Sequence, residues 1–140
     1  MKLAIVGSRQ LWGSRAAAEA ICFVIEEWRP TMVVSGGAIG VDKMGVHIAK
    51  FVYKLAIKEH LPQVAQFEDH GKLRGYRSRD LLIAEECDAL LRVVWEHSTS
   101  YGSGWTRDRA KEMGKQTLEV KVARTSSEVL RSIFSLRVKV

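Results

Sequence analysis

T-M-V-V-S-G-G-A-I-G-V-D, residues 31–42, is the stretch that decides the fold. A short run rich in valine enters a glycine cluster, and the cluster leads into a segment with helical periodicity, so the stretch predicts a strand, a tight turn and a helix. Gly36 and Gly37 let a ligand approach the backbone, and the free N–H groups at a helix start favour an anion. The stretch therefore predicts a phosphate-binding turn; the alternative is that the glycines only let strand and helix pack closely.

Two polar residues flank this turn and extend its chemistry. Ser35 offers a hydroxyl donor at the end of the strand. Asp42 either caps the helix or accepts a hydrogen bond from a ribose hydroxyl, and the sequence leaves both interpretations open. The glycine spacing matches neither the P-loop nor the G-x-G-x-x-G dinucleotide motif, so the turn indicates a phosphate site without naming a nucleotide class.

The segment before the turn predicts a β-α-β unit. Residues 2–6 form an apolar run that ends at Gly7-Ser8-Arg9, which is typical of a buried strand opening into a loop. Ser14 is a candidate N-cap for a helix that reaches Trp28, because Pro30 prevents further extension. Such short crossovers build parallel sheets, so the ends of the first two strands should lie side by side.

The rest of the chain continues the alternation of helix and strand and predicts a three-layer α/β domain with a mostly parallel sheet of about five strands over residues 1–140. The predicted elements are an amphipathic helix from 41 to about 58, a strand at 61–67, a basic loop at 68–80, a helix at 81–87, a strand at 89–95, a small-residue loop at 98–106, a helix ending at Gly114, a strand at 117–122, and a last helix capped by Ser126 or Ser127. The basic loop is either an anion clamp or a solvated surface loop.

Composition sets limits on function. The net charge of +6 and a pI near 9.5 permit an anionic partner such as a nucleotide, RNA or DNA without requiring one. Cys22 and Cys87 have no C-x-x-C spacing, which favours a reducing compartment, and no stretch has the length of a membrane span. We expect a cytoplasmic protein with no membrane partner. The four histidines show no ligand spacing, so we expect no metal site and no cofactor.

Four sequence blocks taken in order resemble the SLOG superfamily, a Rossmann-like group that includes the LONELY GUY phosphoribohydrolases and the DNA-processing protein A. The blocks are A-I-V-G-S-R at 4–9, V-S-G-G-A-I-G-V-D at 34–42, G-Y-R-S-R-D-L-L-I-A-E-E-C-D at 75–88, and Gly102-Ser103 with Thr106, Ala110 and Gly114-Lys115 behind them. They run from residue 4 to about residue 115 in family order. The resemblance implies a nucleotide or nucleotide-derived ligand, bound as by a sensor or carrier, and a homo-oligomer.

The resemblance also assigns a ligand site to particular residues. Arg79 and Arg9 are the expected phosphate contacts, and Trp105 offers a ring for a base, unless it is a core or interface side chain. A DNA-binding protein of the DNA-processing type is the alternative function, suggested by the basic residues at 72–79. The implied nucleotide-binding residues are Gly7, Ser8, Arg9, Ser35, Gly36, Gly37, Gly40, Asp42, Arg79, Gly102, Ser103 and Thr106.

Two departures from the family pattern bear on catalysis. Arg79-Asp80 stands where the family has Arg-Asn, with Arg77-Ser78 as the other alignment. Thr106 stands at the place of the LONELY GUY catalytic glutamate, and a threonine cannot supply the carboxylate that N-glycoside hydrolysis needs. The sequence therefore leaves enzyme activity open: Asp80 and Glu85 are the candidates for acid or base work, and an N-glycoside hydrolase with an altered catalytic motif is a further alternative.

Overall fold

Five parallel strands form one sheet in the computed structural model, which describes residues 1–61, 76–97 and 101–123. In chain order the strands are β1 (Lys2–Gly7), β2 (Met32–Ser35), β3 (Ala56–Glu59), β4 (Ala89–Trp95) and β5 (Gln116–Val122). They stand in the order β3-β2-β1-β4-β5, and β1 at the centre pairs Ala4 with Val34 on one side and with Leu90 on the other. The α/β class with a five-stranded parallel sheet is confirmed.

Helices cover both faces of the sheet. They are α1 (Arg15–Trp28), α2 (Val41–His47, continued by a π-helical turn at Ile48–Val52), α3 (Tyr76–Glu86) and α4 (Tyr101–Glu112). Because side chains alternate along a strand, Leu3 and Ile5 of β1 pack with α1 and α2, while Ala4 and Val6 pack with α3 and α4. The result is the three-layer arrangement that the sequence predicts.

Helix α1 follows its sequence signals closely. The Ser14 hydroxyl accepts a hydrogen bond from the Ala17 amide at 3.2 Å, as an N-cap does. The helix ends at Trp28, with Arg29 in the left-handed region at φ 49° and Pro30 after it. Ser14 as N-cap and Trp28 as the last helical residue are both confirmed.

The strand order reverses between β1 and β4, and this fixes where a ligand site can form. From β1 the chain builds outward to β2 and β3, and then it returns to the other side of β1 for β4 and β5. All strands are parallel, so their carboxyl ends meet at one edge of the sheet. In open α/β sheets this edge, at the point of reversal, is where ligands bind.

The third strand was predicted in the wrong place. The helix after the glycine turn ends at Val52, not near residue 58, and β3 lies at Ala56–Glu59. Leu61 follows this strand, and residues 62–67 of the predicted strand lie outside the described residues. Strand β3 is an exposed edge strand held by its pairing with β2, so it needs no apolar pattern and gives none.

Two predicted loops are partly helical. Residues 76–80 begin α3, and residues 101–106 begin α4. The inner faces of these first turns are polar, with Arg79 and Asp80 buried in α3 and Ser103 and Thr106 buried in α4, so apolar periodicity does not reveal them. The predicted C-terminal helix lies outside the described residues. None of the described helices is long and apolar enough to cross a bilayer.

Candidate functional site

The carboxyl edge of the sheet collects most of the residues that the sequence singles out. Gly7 ends β1, Ser35 ends β2, and α3 and α4 begin at the same edge because they run back against the strands. A Cβ on Gly102 would lie 4.0 Å from the Asp80 carboxylate, which shows that the starts of α3 and α4 meet there. The fold thus brings the glycine turn, Arg79 and the Gly102 block together.

Asp42 lies at the base of this edge and ties two strands together. Its side chain is buried, the residue being only 7% exposed, and its carboxylate accepts hydrogen bonds from the amides of Gly7 and Gly36. Burial raises the pKa of Asp42 to about 7; the Asp80 charge adds to this rise, while Arg79 and the two amides oppose it. The Asp42 carboxyl group therefore occupies two backbone amides that a ligand could otherwise use. Its contact with a ribose stays a prediction.

Arg79 lies between two carboxylates and points inward. Its Nη1 donates to the Gly36 carbonyl at 2.9 Å and its Nε to Asp80 Oδ1 at 2.8 Å, and the side chain is 9% exposed. A Cβ on Gly36 would lie 2.7 Å from Nη1, so a larger residue there would displace this guanidinium. We call Asp42, Arg79 and Asp80 the edge cluster. Arg79 holds the glycine turn in place, and its phosphate contact stays a prediction.

Asp80 of α3 faces Thr106 of α4. Burial raises the pKa of Asp80, against the opposing effects of Arg79, Arg77 and a hydrogen bond with Thr106. The Thr106 hydroxyl also lies 3.0 Å from the Gly102 carbonyl, and its single hydrogen can serve only one of these acceptors at a time. The sequence does not reveal this contact, because Asp80 and Thr106 belong to different helices.

The three predicted serines use their hydroxyls within the protein. Ser8 Oγ accepts from the Trp95 amide at 3.2 Å, and Ser103 Oγ accepts from Arg92 Nε at 3.0 Å. Ser35 Oγ accepts from the Gly37 amide at 3.1 Å and donates to the Asp42 carbonyl at 3.2 Å. All three serines are buried. They hold the loops of the edge in shape, and a role in ligand contact stays a prediction for each of them.

The loop at residues 37–40 presents backbone donors that no acceptor in the described part of the chain uses. The amides of Ala38, Ile39 and Gly40 have no hydrogen-bond acceptor among the residues that the structure describes. Gly40 has φ 99°, and a Cβ there would lie 2.5 Å from Arg9 Cα, so the loops after β1 and β2 touch at this glycine. Arg9 is exposed beside them and forms no ion pair within the described part of the chain.

Two other predicted residues do not join this group. Glu85 lies near the far end of α3, where Lys115 Nζ donates to its carbonyl and the following Asp88 amide donates to Lys2 at the start of β1. It is therefore at the opposite edge of the sheet from Asp80. In the predicted basic loop, residues 68–75 lie outside the described residues.

Trp105 is covered by two arginines. The guanidinium carbons of Arg77 and Arg109 lie 4.8 and 4.9 Å from its ring centroid, a distance typical of cation–π contacts. Arg77 Nη1 and Arg109 Nε are buried without a hydrogen-bond partner among the described residues, while Arg109 Nη2 donates to Glu112 Oε1 at 2.7 Å. The structure favours the interpretation of Trp105 as a packing residue.

The edge thus offers unused amides and an exposed arginine above a buried pair of carboxyl groups. Such a surface can bind an anion at the loop and polar hydroxyl groups deeper in. Comparison with protein-family models gave no match, and searches of the curated proteins and of the solved structures gave none either. The geometry of this edge is the basis for a functional proposal.

Proposed function

We propose that the protein binds a nucleotide or nucleotide-derived ligand at the carboxyl edge of the sheet, as a sensor or carrier. The observation that carries this proposal is the loop at 37–40, where the amides of Ala38, Ile39 and Gly40 lack acceptors and Arg9 lies exposed beside Gly40. Backbone amides together with a guanidinium group form a typical phosphate-binding arrangement.

The edge cluster supports an orientation for the ligand. Two carboxyl groups share the guanidinium of Arg79 there, so the deep part of the edge is less favourable for a phosphate than the loop at 37–40. It suits a neutral group with hydroxyls, such as a ribose, for which Asp80 and Thr106 provide oxygen atoms. The phosphate then lies at the loop and the sugar lies toward α4, an order that is also in keeping with the SLOG resemblance.

Binding without turnover is the favoured function. Thr106 occupies the place of the LONELY GUY glutamate and cannot provide a carboxylate. The alternative of a hydrolase with a rearranged catalytic group rests on Asp80, a buried carboxyl group with a raised pKa beside Thr106. Chromatography of nucleoside monophosphates after incubation with the protein distinguishes the two, since only the hydrolase releases a free base.

A thermal-shift screen tests the binding proposal. Wild-type protein is compared with Arg9→Ala, which removes an exposed guanidinium, and with Lys111→Ala, which removes an exposed cation on α4, across mononucleotides, nucleotide sugars and ADP-ribose. We expect a rise in Tm of several degrees at ligand concentrations about 100-fold above Kd, kept in Lys111→Ala and reduced in Arg9→Ala. A flat response of the wild type to the whole panel would contradict the proposal, as would equal shifts in the two variants.

The expected homo-oligomer belongs to the same proposal. Sedimentation velocity with and without the ligand found in the screen measures it directly. We expect a dimer or larger assembly, and a monomer at all concentrations would remove this part of the proposal.

A further inference from the structure

Three exposed aromatic rings form a row on the outer surface of α2. Trp12, in the turn after β1, lies edge-on to His47 with ring centroids 6.1 Å apart, and His47 lies edge-on to Phe51 at 5.9 Å. Trp12 is 50% exposed and Phe51 is 62% exposed. We call these three residues the aromatic strip. Contiguous exposed apolar side chains on a soluble protein mark an interaction surface more often than chance.

Basic residues lie in the same two chain segments as the aromatic strip. Lys50 Nζ lies 5.5 Å from the centroid of the Phe51 ring, and Arg9, Lys43 and Lys54 lie on the same two segments of the chain. None of these four cations forms an ion pair within the described residues, and residues 9–15 and 43–54 contain no aspartate or glutamate. Glu59, on the edge strand β3, lines a groove together with Lys50, and Glu26 of α1 accepts a hydrogen bond from the Tyr53 hydroxyl.

This charge pattern decides between possible partners. A second copy of the chain placed on the same patch would bring like charges together, which is unfavourable. A partner that carries regular negative charges and flat apolar rings is complementary to both features. Single-stranded nucleic acid has this chemistry, since its bases are free to stack on aromatic side chains while its phosphates meet lysine and arginine. Duplex DNA keeps its bases stacked inside and offers only the phosphates.

We propose that the aromatic strip and its four cations bind single-stranded nucleic acid. This surface lies on the α1 and α2 side of the sheet, on the face opposite to α3 and α4. It also differs from the basic stretch at 72–79 that the sequence suggests for DNA, where the described Arg77 and Arg79 already have partners within the protein. Arg9 also belongs to the phosphate site proposed at the carboxyl edge, so the tests of this surface use Trp12, Phe51, Lys50 and Lys54, which lie outside that site.

Fluorescence anisotropy with labelled oligonucleotides tests the role of the rings. The probes are a twelve-nucleotide dT strand, the matching rU strand, a duplex, and an abasic strand with the same number of phosphates. We expect dT or rU to bind at least about fivefold more tightly than the abasic strand, and Trp12→Ala and Phe51→Ala each to weaken binding about five- to tenfold. Met113→Ala is the matched control, because Met113 is also an exposed apolar residue but lies beyond α4.

The salt dependence of binding tests the role of the cations. Lys50→Glu and Lys54→Glu should each lower the slope of log Kd against log salt by about 1 or slightly more, while Lys111→Glu on α4 leaves it unchanged. Both lysines are exposed, so the variants should fold, and circular dichroism checks this.

Four results would overturn the proposal. The first is no binding of any strand at low salt. The second is equal affinity for the abasic and the base-containing strands, which would leave only a charge effect. The third is binding to vesicles with about one-third anionic lipid that depends on Trp12 and Phe51 while the strands do not bind. The fourth is a self-association, detected by sedimentation, that Phe51→Ala abolishes and oligonucleotides do not alter.

Discussion

Two groups of buried charges in this molecule have opposite compositions. The edge cluster sets the carboxyl groups of Asp42 and Asp80 against one arginine, and burial raises the pKa of both acids. The second group, which we call the helix cluster, joins Glu119 of β5 to Arg92 of β4 and Arg107 of α4. Burial alone would raise the pKa of Glu119 as well, but the hydrogen bond and charge of Arg92 and the charge of Arg107 lower it.

The difference shows that two quantities decide whether ionisation of an acid favours the folded state: the number of arginine partners per acid and the depth of burial. The Glu119 side chain is 27% exposed and has two guanidinium partners, so its ionisation favours the folded state. Asp42 is deeper and shares one guanidinium with Asp80, so its ionisation opposes folding. Such a costly arrangement is typical of functional sites, which is consistent with a ligand site at the carboxyl edge.

Removing the shared arginine should have the largest effect on stability. In Arg79→Met the two carboxyl groups lose the guanidinium that they share, and the Gly36 carbonyl loses its donor. We expect the free energy of unfolding at pH 8 to fall by about 3–5 kcal/mol, as for other broken buried ion pairs. At pH 5 the loss should be smaller, because Asp42, with a pKa of about 7, takes up a proton and no longer requires a cation.

Urea denaturation at pH 5 and pH 8 measures this loss. Arg107→Met is the control, since Glu119 then keeps its contact with Arg92 and we expect a loss of about 1 kcal/mol. Equal losses in the two variants, or a loss for Arg79→Met that does not change with pH, would show that the charge of Arg79 does not determine the stability of the edge cluster.

Asp42→Asn should change the pH dependence of stability. The pKa of Asp42 is near 3.8 in the unfolded chain and about 7 in the folded protein, so between these values the folded state holds more protons. The contribution of Asp42 is therefore fully present below pH 4 and is lost as the pH rises to 7. We expect the stability of the wild type relative to Asp42→Asn to fall by about 2–4 kcal/mol over this range, at about 1.4 kcal/mol for each unit of pKa.

Chemical denaturation of both proteins from pH 4 to pH 8.5 provides the comparison. Because the other titrating groups are common to the two proteins, the difference between their curves isolates residue 42. A difference that stays constant or grows with pH would show that Asp42 is ionised in the folded protein throughout this range.

The sequence predicts most of the sheet because most of its strands are buried. Strands β1, β2 and β4 give apolar runs and β5 gives an alternating pattern, and all four lie within one or two residues of the prediction. Strand β3 gives no apolar run, because only Ile57 of its four residues is partly buried. The pairing of its backbone with β2 leaves no pattern in the sequence. The first turns of α3 and α4 also give no apolar pattern, but for the opposite reason: their side chains are buried and polar.

The sequence predicts which residues belong to the site better than it predicts the contacts between them. The resemblance and the glycine spacing single out Arg79, Asp42 and Thr106, which the structure brings to one edge. That Asp42 binds the amides of Gly7 and Gly36 depends on two strand ends meeting, and that Asp80 faces Thr106 depends on two helices packing. Contacts between distant segments of this kind are not encoded in any local pattern.

The smallest of the three effects should come from the helix cluster. Glu119→Gln keeps an oxygen acceptor but removes the charge that Arg92 and Arg107 share, and we expect a loss of about 1–2 kcal/mol at pH 7. Since the pKa of Glu119 is lowered by folding, its contribution is present above pH 4.5 and is lost as the pH falls below that value.

Urea denaturation from pH 7 to pH 3 measures this effect, and Glu112→Gln is the control, because Glu112 forms an exposed pair with Arg109 that is worth about 0.5 kcal/mol or less. The cost of Glu119→Gln should shrink toward low pH, where wild-type Glu119 is itself neutral. For Asp42→Asn the advantage of the wild type grows toward low pH. If the cost of Glu119→Gln instead grew on acidification, Glu119 and Asp42 would respond to pH in the same direction. The number of arginines per acid would then not explain the opposite pKa shifts.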